Sequence, residues 1–116
     1  MLKSDVSFDT RADGDVRVMT ISGHLDAFTV SDLKNELKKT TDARFTKIIL
    51  SLSKVDYANS STISTIIVTA QQLRKRKGDI KLCGLSDEIR KVFDLVGASE
   101  ILEIFRTEQE ALKSFS

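Results

Sequence analysis

Proline, tryptophan and long apolar runs are missing from this sequence, and cysteine and histidine occur once each. The single cysteine, Cys83, excludes an internal disulfide framework and a thiolate metal site. The single histidine, His24, excludes a histidine-rich metal site and any mechanism that needs two imidazoles. Because no proline interrupts the chain, glycines and helix-capping residues must mark the ends of its helices and strands.

The sequence also lacks an excess of either sign of charge, since its formal net charge is only +1 over 116 residues. This balance argues against a nucleic-acid binder. No stretch approaches the roughly 18 apolar residues of a membrane span, and the segment from Met1 to Asp5 lacks the apolar run of a secretory signal. We therefore expect a single cytoplasmic domain over residues 1–116, with no nucleic-acid and no membrane partner.

The N-terminal part of the sequence is typical of a β-hairpin. Val6 and Phe8 alternate with polar residues, and residues 16–21 are rich in strand formers. The dipeptide Asp13-Gly14 between them tolerates the positive φ that a tight turn requires.

Helices and strands then alternate. Thr29 with Asp32 predicts a capped helix, and further helix starts are predicted near Asn59 or Ser60, at Ser86 and at Thr107. Gly78 and Gly97 are predicted as left-handed helix ends. The helical stripes that should face the core contain Leu33 and Leu37, then Ile63, Ile66, Ile67, Ala70 and Leu73, then Ile89, Val92, Phe93 and Val96. Strands are predicted over residues 47–52, 80–83 and 101–105.

The order β-β-α-β-α-β-α-β-α predicts an α/β fold with about four helices. Its mixed sheet should begin with the antiparallel hairpin, and its later strands should run parallel, joined by right-handed crossovers.

The sequence offers few groups for catalysis. It contains neither GxGxxG nor GxxxxGK[ST], and the segment Phe8-Asp9-Thr10-Arg11 lacks the acidic pair of a phospho-aspartate pocket. Residues 74–77 are basic, which a solvated helix end explains better than a nucleic-acid patch. Cys83 is interpreted as a small buried hydrophobe, and His24 as a surface or turn residue.

A cluster of small polar residues, Asn59-Ser60-Ser61-Thr62-Ile63-Ser64, lies where a strand should lead into a helix. One of these residues would suffice as an N-cap. The surplus is equally compatible with an exposed surface that faces a partner.

Four segments together resemble the STAS family, and within it the stand-alone bacterial anti-sigma factor antagonists. Gly23-His24-Leu25-Asp26-Ala27 is similar to the family's G-x-L-D-x segment, and residues 50–57 to its central strand and the following turn. Residues 59–64 lie where the family carries D-S-[SA]-G-L-G, and residues 85–97 are similar to its penultimate helix. Asn59, Thr62 and Ser64 replace the aspartate and the two glycines of that motif.

The resemblance implies a protein-binding switch without catalytic activity or a cofactor. Ser60 would be phosphorylated by an anti-sigma factor that is itself a serine kinase, and ATP and magnesium would belong to that partner. Ser61 is the second choice as acceptor. A serine phosphatase would reverse the modification, and the partner would contact Asp26, Asn59, Ser60, Ser61, Thr62 and Ser64.

Two other hypotheses stay open from the sequence. One is a STAS scaffold or interaction module of another complex, such as a lipid-transport or stressosome-like assembly, in which Ser60 is only structural. The other is a small phosphotransfer protein that carries phosphate on Ser60 or His24.

Overall fold

A computed structural model describes residues 6–116, so the expectation for the segment from Met1 to Asp5 lies outside the described residues. Strands and helices follow one another in the predicted order, with one short 3₁₀ turn added. The strands are β1 Val6–Asp13, β2 Val16–Leu25, β3 Lys47–Ala58, β4 Asp79–Cys83 and β5 Ile104–Phe105. The helices are α1 Val30–Asp42, α2 Ser60–Arg74, α3 Asp87–Leu95 and α4 Glu108–Ser114, and the 3₁₀ turn is Ala98–Glu100.

The five strands form one mixed sheet in the order β1-β2-β3-β4-β5. β1 and β2 pair antiparallel, and Gly14 adopts φ 62° in the turn between them. All later neighbours pair parallel. The predicted α/β class, the N-terminal hairpin, the parallel strands and the four helices are therefore confirmed.

Helices cover both faces of this sheet. Alternate residues of β3 divide between two apolar clusters, because successive side chains on a strand point to opposite faces. Ile48, Leu50 and Leu52 join a large cluster with apolar residues of α1, α2 and α3. Ile49 joins a smaller cluster that includes Ala111 of α4. The sheet is thus buried between three helices on one side and one on the other.

The central strand β3 is longer than predicted. The apolar run predicted a strand over residues 47–52, but β3 continues to Ala58. Its pairing with β2 shifts register twice, so that Ser22 lies opposite Lys54 and His24 opposite Tyr57. These irregularities carry the end of β3 alongside the end of β2, where Leu25 pairs with Ala58. The start of α2 is thereby placed next to the loop that follows β2.

The predicted left-handed conformation at Gly78 is wrong. Lys77 has a φ of 62° instead. Gly78 is required for a different reason, since a Cβ at this position would lie 2.0 Å from the carbonyl oxygen of Thr46. The chain therefore needs glycine here for close backbone approach.

Two expectations near the C-terminus also need correction. Gly97 is left-handed as predicted, with φ 75°, but Val96 is exposed because α3 ends before it and the chain reverses there. The strand predicted over 101–105 contains only Ile104 and Phe105. Leu102 is instead buried beside the 3₁₀ turn.

Within residues 6–116, no helix combines the length and the apolar character needed to cross a bilayer.

Candidate functional site

Asn59 by itself caps helix α2. Its side-chain oxygen accepts a hydrogen bond of 3.0 Å from the backbone N–H of Thr62, and its extended backbone is that of an ordinary N-cap. Ser60 is the first residue of the helix. The capping requirement is met by one residue, so it does not account for the serines that follow.

Three serine side chains of this cluster are exposed: Ser60, Ser61 and Ser64. The hydroxyl of Ser60 makes no hydrogen bond within residues 6–116. It lies at a helix start, where backbone N–H groups lack intrahelical partners and the helix dipole is positive. The geometry therefore presents an accessible hydroxyl at a position that favours a negative charge.

Thr62 does not belong to the exposed surface, contrary to its assignment to a partner-binding site. Its side chain is completely buried, and its Oγ1 donates a hydrogen bond of 3.2 Å to the carbonyl oxygen of Leu25. The same carbonyl accepts the backbone N–H of Asn59 at 3.0 Å. Two bonds thus connect the end of β2 to the start of α2. The helical turn points residue 62 inward between its exposed neighbours.

Asp26 shapes the loop that follows β2. Its carboxylate accepts backbone N–H groups of Phe28 at 2.9 Å and Thr29 at 3.1 Å. This arrangement is an Asx-turn. The half-buried Asp26 side chain is therefore engaged with its own loop, and its proposed contact with a partner stays a prediction.

Thr29 is the N-cap residue of α1, as predicted, but its side chain does not cap the helix. The Thr29 hydroxyl accepts the N–H of Asp26 at 2.9 Å and donates to the carbonyl of His24 at 2.7 Å. No hydrogen bond connects this hydroxyl to the first turn of α1. Thr29 is buried and secures the loop to the end of β2.

Phe28 is the residue that sequence reasoning missed. Its side chain is 90% exposed, although phenylalanine is usually buried. The Asx-turn holds its backbone, so the exposed ring is presented from an ordered loop. A signal was available in the sequence, because Phe28 falls outside the apolar stripe of the helix predicted after it.

We call the group Asp26, Phe28, Asn59, Ser60, Ser61 and Ser64 the Ser60 surface. Leu25 holds its two parts side by side through the bonds from Asn59 and Thr62. A cavity of about 510 Å³ opens beside the serines, between them and Lys34 of α1. None of the residues that line it is acidic.

Groups suited to catalysis do not converge on this surface. Among the described residues, no three His, Cys, Asp or Glu side chains are placed to hold a metal ion. His24 lies on the exposed part of β2 with its Nδ1 2.5 Å from Asp56 Oδ1. Cys83 is buried in the sheet, and burial raises the pKa of its thiol, as expected for an unreactive side chain.

Named proteins and solved structures are similar to this chain in sequence and in fold. The anti-sigma-B factor antagonist of Listeria monocytogenes is 29% identical over 90 residues, which cover 78% of this chain and 79% of that protein. The fold is similar to the crystal structure of an anti-sigma factor antagonist from Mycobacterium paratuberculosis, with a TM-score of 0.86, 19% identity, and coverage of 94% and 92% of the two chains.

A second solved structure with this fold is that of the Bacillus cell fate determinant SpoIIAA in its phosphorylated form. Its TM-score is 0.71 at 21% identity, and the match covers 95% of this chain and 100% of that one. The family model described as "STAS domain" matches residues 7–111, which is most of the chain. The protein therefore belongs to the STAS domain family.

Proposed function

We propose that this protein is an anti-sigma factor antagonist that is switched off by phosphorylation of Ser60. In its unmodified form it binds an anti-sigma factor that is also a serine kinase, and the sigma factor is released. The single observation that carries this proposal is the exposed Ser60 hydroxyl, which has no hydrogen bond in the described chain, while Asn59 alone supplies the cap. A curated relative named as an anti-sigma-B factor antagonist supports it.

In the proposed phosphorylation step, every catalytic group belongs to the kinase. The Ser60 oxygen attacks the γ-phosphorus of the kinase-bound ATP, a new O–P bond forms, and the bond to the β-phosphate oxygen breaks. ADP leaves with that bond's electron pair, and the hydroxyl proton passes to a base of the kinase. This chain contributes the nucleophile and its position, so it acts as a substrate and binding protein rather than as an enzyme.

The phosphate would act on the interface more than on the fold. It adds a charge of about −1.5 to −2 at pH 7. The first turn of α2 tolerates that charge, because unpaired N–H groups and the helix dipole stabilise an anion there. In a docked complex the same charge would lie unpaired against the partner, at a cost of several kcal/mol, which changes affinity by orders of magnitude. Removal of the phosphate by a serine phosphatase would restore binding.

The test is incubation with the kinase-type anti-sigma factor of the same genome and Mg-ATP, followed by intact mass and phosphosite mapping. We expect one phosphoryl group on Ser60, none on Ser60→Ala, and normal modification of the matched control Ser61→Ala. Ser60→Asp should bind the kinase more weakly, with a melting temperature close to that of the wild type. Modification of Ser61 in place of Ser60 would overturn the assignment of the acceptor.

The same experiment separates the alternatives. Tight binding to a partner complex that never modifies Ser60, with equal binding by Ser60→Ala, would identify a scaffold or interaction module. Transfer of phosphate onward from Ser60 or His24 to another molecule would identify a phosphotransfer protein. Either result replaces the proposed switch.

A further inference from the structure

A groove between α1 and α2 extends from the Ser60 surface to the far end of α2. It consists of two cavities of about 510 and 280 Å³. Lys34 and Thr69 line both of them, so the two are neighbours. The first contains Ser60 and the second ends at Arg76.

The charged residues that line the groove are all positive. Lys34, Lys38 and Arg76 line it, and no aspartate or glutamate does. Lys38 pairs with Asp42 at 3.0 Å through exposed side chains, and exposed pairs of this kind are weak. Lys34 and Arg76 have no ion-pair partner within residues 6–116. Two unpaired cations therefore line one groove, Lys34 where its two cavities meet and Arg76 at the end far from Ser60.

The groove also has an apolar component. Val68 lines it near the serines and is 52% exposed. Leu37 and Leu73 line its other half and are buried beneath it. A surface of this kind suits a segment that has apolar side chains on one side and carboxylates on the other.

We propose that this groove binds an acidic segment of the anti-sigma factor. The inference rests on the proposed function and extends it, because it names a second contact and the charge of the segment that makes it. The phosphate on Ser60 would then lie at one end of the groove. Its negative charge would repel the acidic segment and weaken the attraction from Lys34. The switch would thus act through a charge conflict along the whole groove as well as through contact at Ser60.

The experiment measures the affinity of the unphosphorylated protein for the same kinase-type anti-sigma factor at low and at physiological salt. The groove variant is Lys34→Glu with Arg76→Glu. The matched control is Lys75→Glu with Lys91→Glu, two exposed lysines outside the groove that give the same change in net charge. Circular dichroism and thermal melting are used to check that both double variants remain folded.

We expect the groove variant to bind about tenfold more weakly at low salt, with a shallower salt dependence, and the control to change about twofold or less. Equal weakening of both variants would assign the effect to net charge and overturn the proposal. Unchanged binding by the groove variant, while the wild type binds, would overturn the proposal and leave the proposed function intact. A wild-type protein that binds no kinase would refute the proposed function, and this inference with it.

Sedimentation velocity of the protein alone tests whether the groove binds a second copy of this chain. We expect the groove variant and the wild type to sediment identically. A dimer that Lys34→Glu with Arg76→Glu abolishes would assign the groove to a second copy of this chain and overturn the assignment to the anti-sigma factor.

Discussion

The Oγ1 of Thr62 lies 3.2 Å from the carbonyl oxygen of Leu25, a residue 37 positions earlier in the chain. This buried bond joins the start of α2 to the loop that carries Asp26 and Phe28. It gives Thr62 a structural role inside the protein. The side chain fills space inside the protein and leaves the exposed face to the serines.

Thr62→Val tests this bond. The valine keeps the branched shape, and the Leu25 carbonyl keeps its bond from the N–H of Asn59. We expect a loss of about 0.5–1.5 kcal/mol in the free energy of unfolding. Urea denaturation measures it. Thr65→Val is the control, because it removes a hydroxyl that bonds only to the carbonyl of Ser61 within the same helix. An unchanged stability would mean that the Thr62 hydroxyl contributes nothing to the junction.

Phe28→Ala tests the exposed aromatic ring of the Ser60 surface. Because the ring is 90% exposed, its removal should change stability by less than about 0.5 kcal/mol. Exposed aromatic residues at interfaces are frequent hot spots, so binding to the kinase should weaken by about tenfold or more. Isothermal titration calorimetry measures the affinity. Leu95→Ala, which removes an equally exposed side chain at the end of α3, should leave it unchanged.

Ile66→Ala tests the buried stripe of α2. Ile66 is completely buried, whereas its neighbour Ile67 is only partly buried against the same core. We expect a cost of about 2–5 kcal/mol for Ile66→Ala, because it leaves a cavity, and a smaller cost for Ile67→Ala. Chemical denaturation ranks the two. The reverse order would mean that α2 turns Ile67 toward the core in place of Ile66.

Cys83 provides a test of pH dependence. Burial raises the pKa of its thiol above the ordinary value of 9.0, so the folded state favours the protonated form. This contribution to stability is complete below the ordinary pKa and is lost as the pH rises through the raised value. The melting temperature of the wild type, relative to that of Cys83→Ala, should therefore fall from pH 7 to pH 10. A constant difference would contradict a buried thiol.

A second measurement addresses the reactivity of the same thiol. A disulfide reagent at pH 8 should modify Cys83 slowly in the native protein and rapidly after denaturation, because only the exposed thiolate reacts. Rapid modification of the folded protein would show that the sheet opens at β4.

Much of the fold could be predicted from local patterns. The hairpin follows from Asp13-Gly14 between two alternating segments, and α3 follows from Ser86, whose hydroxyl accepts the N–H of Ile89 at 3.2 Å. The length of β3 could not be predicted, because the polar residues Ser53, Lys54 and Asp56 interrupt the apolar pattern. Pairing with β2 holds this segment in the strand. The role of Gly78 could not be predicted for a similar reason, since the close approach of Thr46 that requires glycine is a long-range contact.

The sequence by itself determined the element order, the caps at Ser86 and Thr107, and the serine cluster at a helix start near Asn59 or Ser60, because all of these depend on neighbours along the chain. Only the tertiary structure decided that Thr62 points inward and that Lys34 lies across from Ser60. Those outcomes depend on which residues distant in sequence meet when α1 and α2 pack against one sheet. Local propensity carries no information about such contacts.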